Sequence, residues 1–279
     1  MEVRSPSVLI TGCGKGGIGH ALALEFKAKG YTVITTLLPH ESSTHLIECG
    51  ILTFSADVTK DEDIEGLCKE VTKTTHGQLD VLVNNAGICY TMTAIDTDVR
   101  EVKKMFDVNV FGPMRMVHHF HRLLVAARGK IVNIGSVGGI VPYMYGASYN
   151  ATKAALHHWG NTLRVEMKPL GVNVVNIISG EVNTNILKRD QGRTLPAGSL
   201  YQPLETEFSR HVDRSPNTTS PSEYAAAVVR EIGKRQPRAW FWTGATTSFV
   251  RWGDMFLPRT FWDWLFTRWF NLDKLRGRG

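Results

Sequence analysis

Apolar residues follow two rhythms along the chain. Short runs read as strands buried on both faces: SVLIT from Ser7, YTVITT from Tyr31, ILTFSAD from Ile51, LDVLVNN from Leu79, KIVNIGS from Lys130 and VNVVNII from Val172. Between them, Ile18 to Lys29, Lys60 to His76, Asp98 to Arg128 and Ala147 to Leu170 carry apolar residues at helical spacing. This alternation predicts an α/β fold of the Rossmann type, a doubly wound parallel sheet of about seven strands with helices on both faces. Ser222 to Lys234 supplies a further helix and Ala239 to Thr243 a last strand. Right-handed crossovers then place a ligand crevice at the carboxyl ends of the strands.

No repeat, low-complexity segment or linker divides the first 180 residues, so 1–279 reads as a single domain. Within it, 183–221 breaks the rhythm with prolines at 196, 203, 216 and 221 and reads as a substrate-side insertion. The end, 245–279, is a Trp-rich helical tail; six of the seven tryptophans stand at 240, 242, 252, 262, 264 and 269. In PRTFWDWLFTRWFNLDKL the polar residues Arg259, Asp263 and Thr267 form a narrow wet stripe, so most of the remaining circumference calls for cover. A closed substrate pocket, a dimer seam or peripheral contact with a membrane or lipid droplet through 252–270 would each provide it.

With 43% hydrophobic residues in 279, a sizeable core is affordable, and the net charge of +6 suits an anionic ligand or an acidic membrane face. The basic residues are scattered and lack a stacking platform, which argues against nucleic acid. No apolar run approaches the ~18 residues of a spanning helix, and MEVRSPSVLITG lacks a signal-peptide core, so the expected location is cytoplasmic, with peripheral endoplasmic reticulum or lipid-droplet contact as a variant. Cys13, Cys49, Cys68 and Cys89 lack metal-like spacing. The histidines at 118–121 and the pair His157 and His158 lie on helices assigned to packing, so no metal is expected.

The chemistry gathers at strand ends. TGCGKGGIGH from Thr11 admits the G-x-G-x-x-G spacing on Gly12, Gly14 and Gly17 or on Gly14, Gly16 and Gly19. Tyr149 and Lys153, four apart on a helix, share one face; an ammonium there favours the phenolate and eases proton donation to a developing alkoxide. Ser136 ends the strand KIVNIGS, where its hydroxyl faces a substrate carbonyl. Asn109 precedes Pro113 by four residues, so its carbonyl lacks a helical N–H partner and is free to hold a water that links Lys153 to solvent.

Together TG with GIG, NNAG at Asn84 to Gly87, the set Asn109, Ser136, Tyr149 and Lys153, and ISGEVNT at Ile178 to Thr184 resemble the short-chain dehydrogenase/reductase family over roughly residues 7 to 185. The resemblance implies that Tyr149 is the acid/base, that Lys153 also binds the nicotinamide ribose, that Ser136 orients the carbonyl and that Asn109 completes a proton relay. It implies cofactor contacts from Gly12, Gly17, Ile18 and Gly19, from Asp57 and Val58 near the adenine, from Asn84, Ala86 and Gly87 beneath the cofactor, and from Val182 and Thr184 at the carboxamide. The glycine loop is one residue longer than the family's, and Ser179 stands where the family often has proline.

YTVITT runs into Leu37, Leu38, Pro39 and His40 without a carboxylate, while Lys15 and His40 offer positive charge, so NADPH is expected over NADH. The loop, LPAGSLYQP and the Trp-rich end are similar to a fungal branch that contains NADPH-dependent 1-acyl-dihydroxyacetone-phosphate reductases and secondary-metabolite ketoreductases. That resemblance implies reduction of a ketone on an apolar or lipid-like substrate by a homodimer or homotetramer, with a polyketide or terpenoid dehydrogenase as the alternative and a non-catalytic NADP(H) sensor as a remote one. A phosphate-bearing substrate would call on Lys188, Arg189 or Arg193.

Overall fold

The computed structural model describes residues 4–214 and 218–275; the side chains of Leu187 and Arg189 lie outside the described set. The expected insertion and tail therefore fall partly outside it, at 215–217 and 276–279, as does any phosphate contact by Arg189. Strands β1 (Ser7–Ile10), β2 (Thr32–Leu37), β3 (Leu52–Ser55), β4 (Val81–Asn84), β5 (Lys130–Ile134), β6 (Asn173–Ser179) and β7 (Trp240–Thr243) form one parallel sheet in the order β3-β2-β1-β4-β5-β6-β7. The order reverses between β1 and β4, and the crevice opens at the carboxyl ends of those neighbours.

The helices are α1 (Ile18–Ala28), α2 (Thr44–Ile47), α3 (Asp61–Thr75), α4 (Val99–Phe106), α5 (Gly112–Ala127), α6 (Ala147–Met167), α7 (Glu205–Val212), α8 (Pro221–Ile232), α9 (Thr247–Phe256) and α10 (Thr260–Trp269). Alternate residues of β1 enter opposite cores. Val8 and Ile10 pack with Leu22 and Phe26 of α1 and Val228 and Ile232 of α8, whereas Leu9 packs with Ile64 of α3, Phe120 of α5 and Leu163 of α6. Each of these side chains contributes about 1.5–3 kcal/mol when fully buried. That is why the strands read as continuous apolar runs rather than as alternating ones.

The stretch Asp98 to Arg128 is two helices rather than the single one expected. Between α4 and α5 the wider turn Asp107–Phe111 sends the Gly112 N–H to the Asp107 carbonyl, five residues back. Pro113 then sits in the first turn of α5, where no N–H donor is needed. Gly112 makes the turn possible against β3's loop, since a Cβ there would lie 2.9 Å from Val58 Cγ2. The turn carries Asn109 inward, 1% exposed.

A polar seam crosses the buried sheet. Asn84 Nδ2 donates to Asn133 Oδ1 (2.9 Å), Asn133 Nδ2 to Asn176 Oδ1 (3.1 Å), and Asn176 Nδ2 to the His157 carbonyl on α6 (3.0 Å). Gly160 leaves room for the seam; its Cβ would stand 2.3 Å from Asn176 Oδ1. A third apolar cluster joins the insertion to the tail: Phe208 and Val212 of α7, Val250 of α9, Trp262 and Phe266 of α10, and Phe270 pack around Tyr145 and Met92. Lys274 and Asn271 reach Glu207 on α7 and tether this end. Among the described residues of the tail, Thr247, Val250 and Gly253 of α9 and the stripe of Trp262, Phe266 and Phe270 are buried, while Trp252, Phe256, Trp264 and Trp269 stay exposed, so less of the circumference is covered than the composition suggests.

Candidate active site

The glycine loop resolves its own register. Gly12 has φ of +70°, a conformation open to glycine, and a Cβ there would stand 2.8 Å from the Ala86 backbone. At Gly19 a Cβ would meet the Gly12 carbonyl at 2.7 Å and Asn85 Nδ2 at 2.5 Å, so loop and helix close on each other. Gly17 precedes α1, and no side chain caps that helix. The extra glycine at 16 serves an exposed bend, with φ of +78° beside Asn185. The tightly packed glycines are thus Gly12 and Gly19, with Gly17 at the helix entrance, where an anion is favoured by the first-turn amides and the helix dipole.

A crevice of about 1030 Å³ runs from this loop to the C-terminal helices. Its walls include Gly12, Lys15, Gly17, Ile18, His40, Asp57, Val58, Ala86, Gly87, Ser136, Tyr149, Lys153, Val182 and Thr184. Three expected site residues do not face it. Asn84 is buried in the seam, because it ends β4 pointing across the sheet; Asn85 takes the place expected for it, with its amide donating to the Thr11 and Gly12 carbonyls (both 2.8 Å). Gly19 lies behind the loop, where an added Cβ would stand 2.7 Å from the Gly12 carbonyl. Asn109 is behind Gly87: its Oδ1 accepts from the Ile88 N–H (2.9 Å), and its Nδ2 donates to the Ile88 carbonyl (2.9 Å) and to Thr152 Oγ1 (3.0 Å). A Cβ on Gly87 would touch both Asn109 Oδ1 (3.4 Å) and Lys153 Nζ (3.7 Å), so these two groups flank the same bare backbone.

Lys153 Nζ donates to the Ile134 carbonyl (2.9 Å) and stands 5.6 Å from the Tyr149 ring centre. Burial lowers its pKa to about 8. Burial also pushes the Tyr149 phenol well above its ordinary value, with the charge of Cys89 adding to the rise and a hydrogen bond from Ser136 opposing it. The expected depression of the phenol by Lys153 is therefore overridden in the protein alone, since desolvation penalises both charged forms. Ser136 Oγ accepts the Gly138 N–H (3.0 Å), which leaves its own O–H to donate. Cys89 lines the same wall, 3.3 Å from the Ile186 carbonyl.

Sequence reasoning missed two neighbours. Glu41, past the end of β2, also lines the crevice and accepts the Leu38 N–H (2.9 Å); the absence of a carboxylate at 37–40 holds, but the turn returns one a residue later. His157, one turn beyond Lys153 on α6, accepts the Ser136 N–H at Nε2 (3.2 Å). The signal was the i, i+4, i+8 series Tyr149, Lys153, His157 on one helix face.

The far end of the crevice is aromatic, lined by Tyr143, Phe249, Trp262, Phe266 and Trp269. Among the described residues around it, Arg214 is the lining cation, and it pairs with Glu181 (3.3 Å) while donating to the His211 carbonyl (2.7 Å). Arg193 is likewise engaged, by Asp190 (2.6 Å) and by stacking on Tyr90 (4.0 Å). Among the described residues no three His, Cys, Asp or Glu side chains converge to hold a metal ion.

Residues 6–193 match the family model described as short chain dehydrogenase. The chain is 63% identical over 272 residues to short-chain dehydrogenase RED1 of Pyricularia oryzae, with 96% of each covered. It is 37% identical over 263 residues to the NADPH-dependent 1-acyldihydroxyacetone phosphate reductase of Schizosaccharomyces pombe, covering 89% of this chain and 88% of that one. Among solved structures, a short-chain dehydrogenase from Streptomyces avermitilis superposes with a TM-score of 0.77 at 26% identity, with both chains covered in full.

Proposed function

Since the chain belongs to the short-chain dehydrogenase family and is an oxidoreductase of nicotinamide cofactors, we propose that it reduces an uncharged, aromatic or otherwise apolar ketone with NADPH. The observation that carries this reading is the continuity of one crevice from the glycine loop, past Ser136, Tyr149 and Lys153, to a wall of aromatic side chains. The residues fit the cofactor: bare backbone at Gly12 and Gly87, first-turn amides of α1 without a side-chain cap, and Lys15 and His40 on the rim. The Schizosaccharomyces relative, named for its use of NADPH, supports the choice of that cofactor. Bound NADPH supplies a hydride for the carbonyl carbon.

The protein supplies the rest. Tyr149 donates the proton to the carbonyl oxygen while the Ser136 O–H holds that oxygen in line, and Lys153 provides the positive charge that favours the phenolate left behind. The lining cation at the aromatic end, Arg214, is already paired with Glu181, so an apolar group gains there by burial whereas a phosphate would compete for an engaged guanidinium. A polyketide- or terpenoid-like ketone thus fits better than an acyl-dihydroxyacetone phosphate.

The inner faces of α9 and α10 close this end, while Trp252, Phe256 and Trp264 are exposed among Arg251, Arg259 and Arg268. That mixture supports peripheral contact with a lipid surface. No helix among the described residues is long and apolar enough to cross a membrane.

Steady-state assays with phenanthrenequinone and with palmitoyl-dihydroxyacetone phosphate test the substrate reading. We expect kcat/KM to favour the quinone by about tenfold or more and NADPH over NADH, since a buried charge left without a partner costs on the order of several kcal/mol. Preference for the phosphate, or for NADH, would overturn the choice.

A further inference from the structure

We propose that His157 is a positioning residue that holds Ser136, and through it the substrate carbonyl, in register with Tyr149. The inference rests on the functional reading above. Three observations carry it. First, the Ser136 N–H donates to His157 Nε2 (3.2 Å), so the loop residue whose hydroxyl faces the crevice is fixed from behind by a side chain of the helix that carries Tyr149 and Lys153. Second, the imidazole fills the space above two glycines: a Cβ on Gly135 would stand 2.1 Å from its Nε2, and one on Gly139 2.8 Å from its Cε1. The chain on both sides of Ser136 is therefore moulded on this ring. Third, the ring is held in one tautomer. Nε2 must be bare to accept an amide, so the proton is on Nδ1, which is buried and has no hydrogen-bond partner among the described residues.

An unpartnered buried N–H is unfavourable by about 1–3 kcal/mol. A residue retained only for packing would avoid that cost with leucine or phenylalanine. The groups facing the ring agree with a neutral state. Lys153 lies one turn away on α6, Trp240 of β7 packs at 5.5 Å between ring centres, and the Asn176 amide holds the His157 carbonyl (3.0 Å). Burial, with the Lys153 charge second, lowers the histidine to about 3. The ring thus acts as a fixed acceptor and takes no part in proton transfer across the working range of pH.

The consequence is a division of labour along one helix face. Tyr149 presents the proton, Lys153 the charge, and His157 the backbone of the residue that aligns the acceptor oxygen. Asn176 sets the height of this helix from below, through the seam that Gly160 accommodates.

The test is a double-mutant cycle of His157→Leu and Ser136→Ala, read on NADPH-dependent reduction of phenanthrenequinone, beside amide hydrogen exchange at Ser136 in the cofactor-free enzyme. We expect His157→Leu to lower kcat about 10- to 100-fold with the NADPH Kd within about twofold, and to cost less than about threefold further once Ser136 is Ala. His157→Asn and His157→Gln, which keep an acceptor, should restore much of kcat, and they carry the test if the leucine variant fails to fold. In the exchange arm, the Ser136 amide should be protected in the wild type and in whichever acceptor variant is active, and exposed in the leucine variant. Multiplicative losses in the cycle, or equal exchange with and without an acceptor at 157, would overturn the proposal. The exchange arm needs no turnover, so a protein that reduces no ketone would refute the functional reading, and with it the alignment of a carbonyl, while the hold of His157 on the Ser136 backbone is still decided by exchange.

Discussion

Replacing Tyr149 by Phe should lower kcat by about 10²- to 10⁴-fold while leaving the NADPH Kd nearly unchanged, as expected when a single acid is removed and the binding surface is kept. The ring stays against the crevice wall, and only the hydroxyl near Ser136 is lost. In the parent enzyme the same account fixes a pH dependence. Lys153 is charged when protonated, and burial brings its pKa down from 10.5 to about 8. Below that pH the ammonium is present to favour the phenolate; above it the charge is lost, so kcat/KM for reduction should be level up to about pH 8 and fall beyond. Stopped assays from pH 6 to 10 would show it, and a rate that climbs through that range would contradict the role given to Lys153.

Gly12→Ala should weaken NADPH at least about tenfold. Its φ of +70° is strained for any residue with a Cβ, and that Cβ would stand 2.8 Å from backbone at Ala86, which cannot turn aside as a flexible side chain does. Left-handed strain and overpacking together cost about 2–4 kcal/mol. Displacing the loop would relieve part of that cost at the expense of the surface that meets the cofactor. Fluorescence titration with NADPH, alongside a thermal melt to confirm folding, checks it; unchanged affinity in a folded variant would mean that the loop does not form the cofactor wall.

The strands and their parallel direction were legible because residues buried on both faces leave uninterrupted apolar runs, as in Val8, Leu9 and Ile10. The family's motifs placed Ser136, Tyr149 and Lys153 on a common wall, and the structure brings these three together. Other features escaped for physical reasons. Asn84 and Asn85 are adjacent and chemically identical; which one faces the ligand depends on where β4 stops pleating, a one-residue matter that composition does not record. The wide turn at Asp107–Phe111 preserves the apolar spacing of a helix closely enough to hide the break. His157 looked like packing because the backbone N–H that it accepts belongs to a loop remote along the chain, a relation visible only after folding. The tail's composition called for cover over most of its circumference, but its two faces have different surroundings: Trp262 is buried and Trp264 is exposed.

The most direct test is stoichiometry in one cuvette: NADPH consumed against secondary alcohol formed, with wild-type protein and a panel of apolar ketones. The account predicts one alcohol per NADPH for at least one aromatic ketone. Tight NADPH binding with no ketone consumed anywhere in the panel would contradict it and leave a protein that binds the nucleotide without using it.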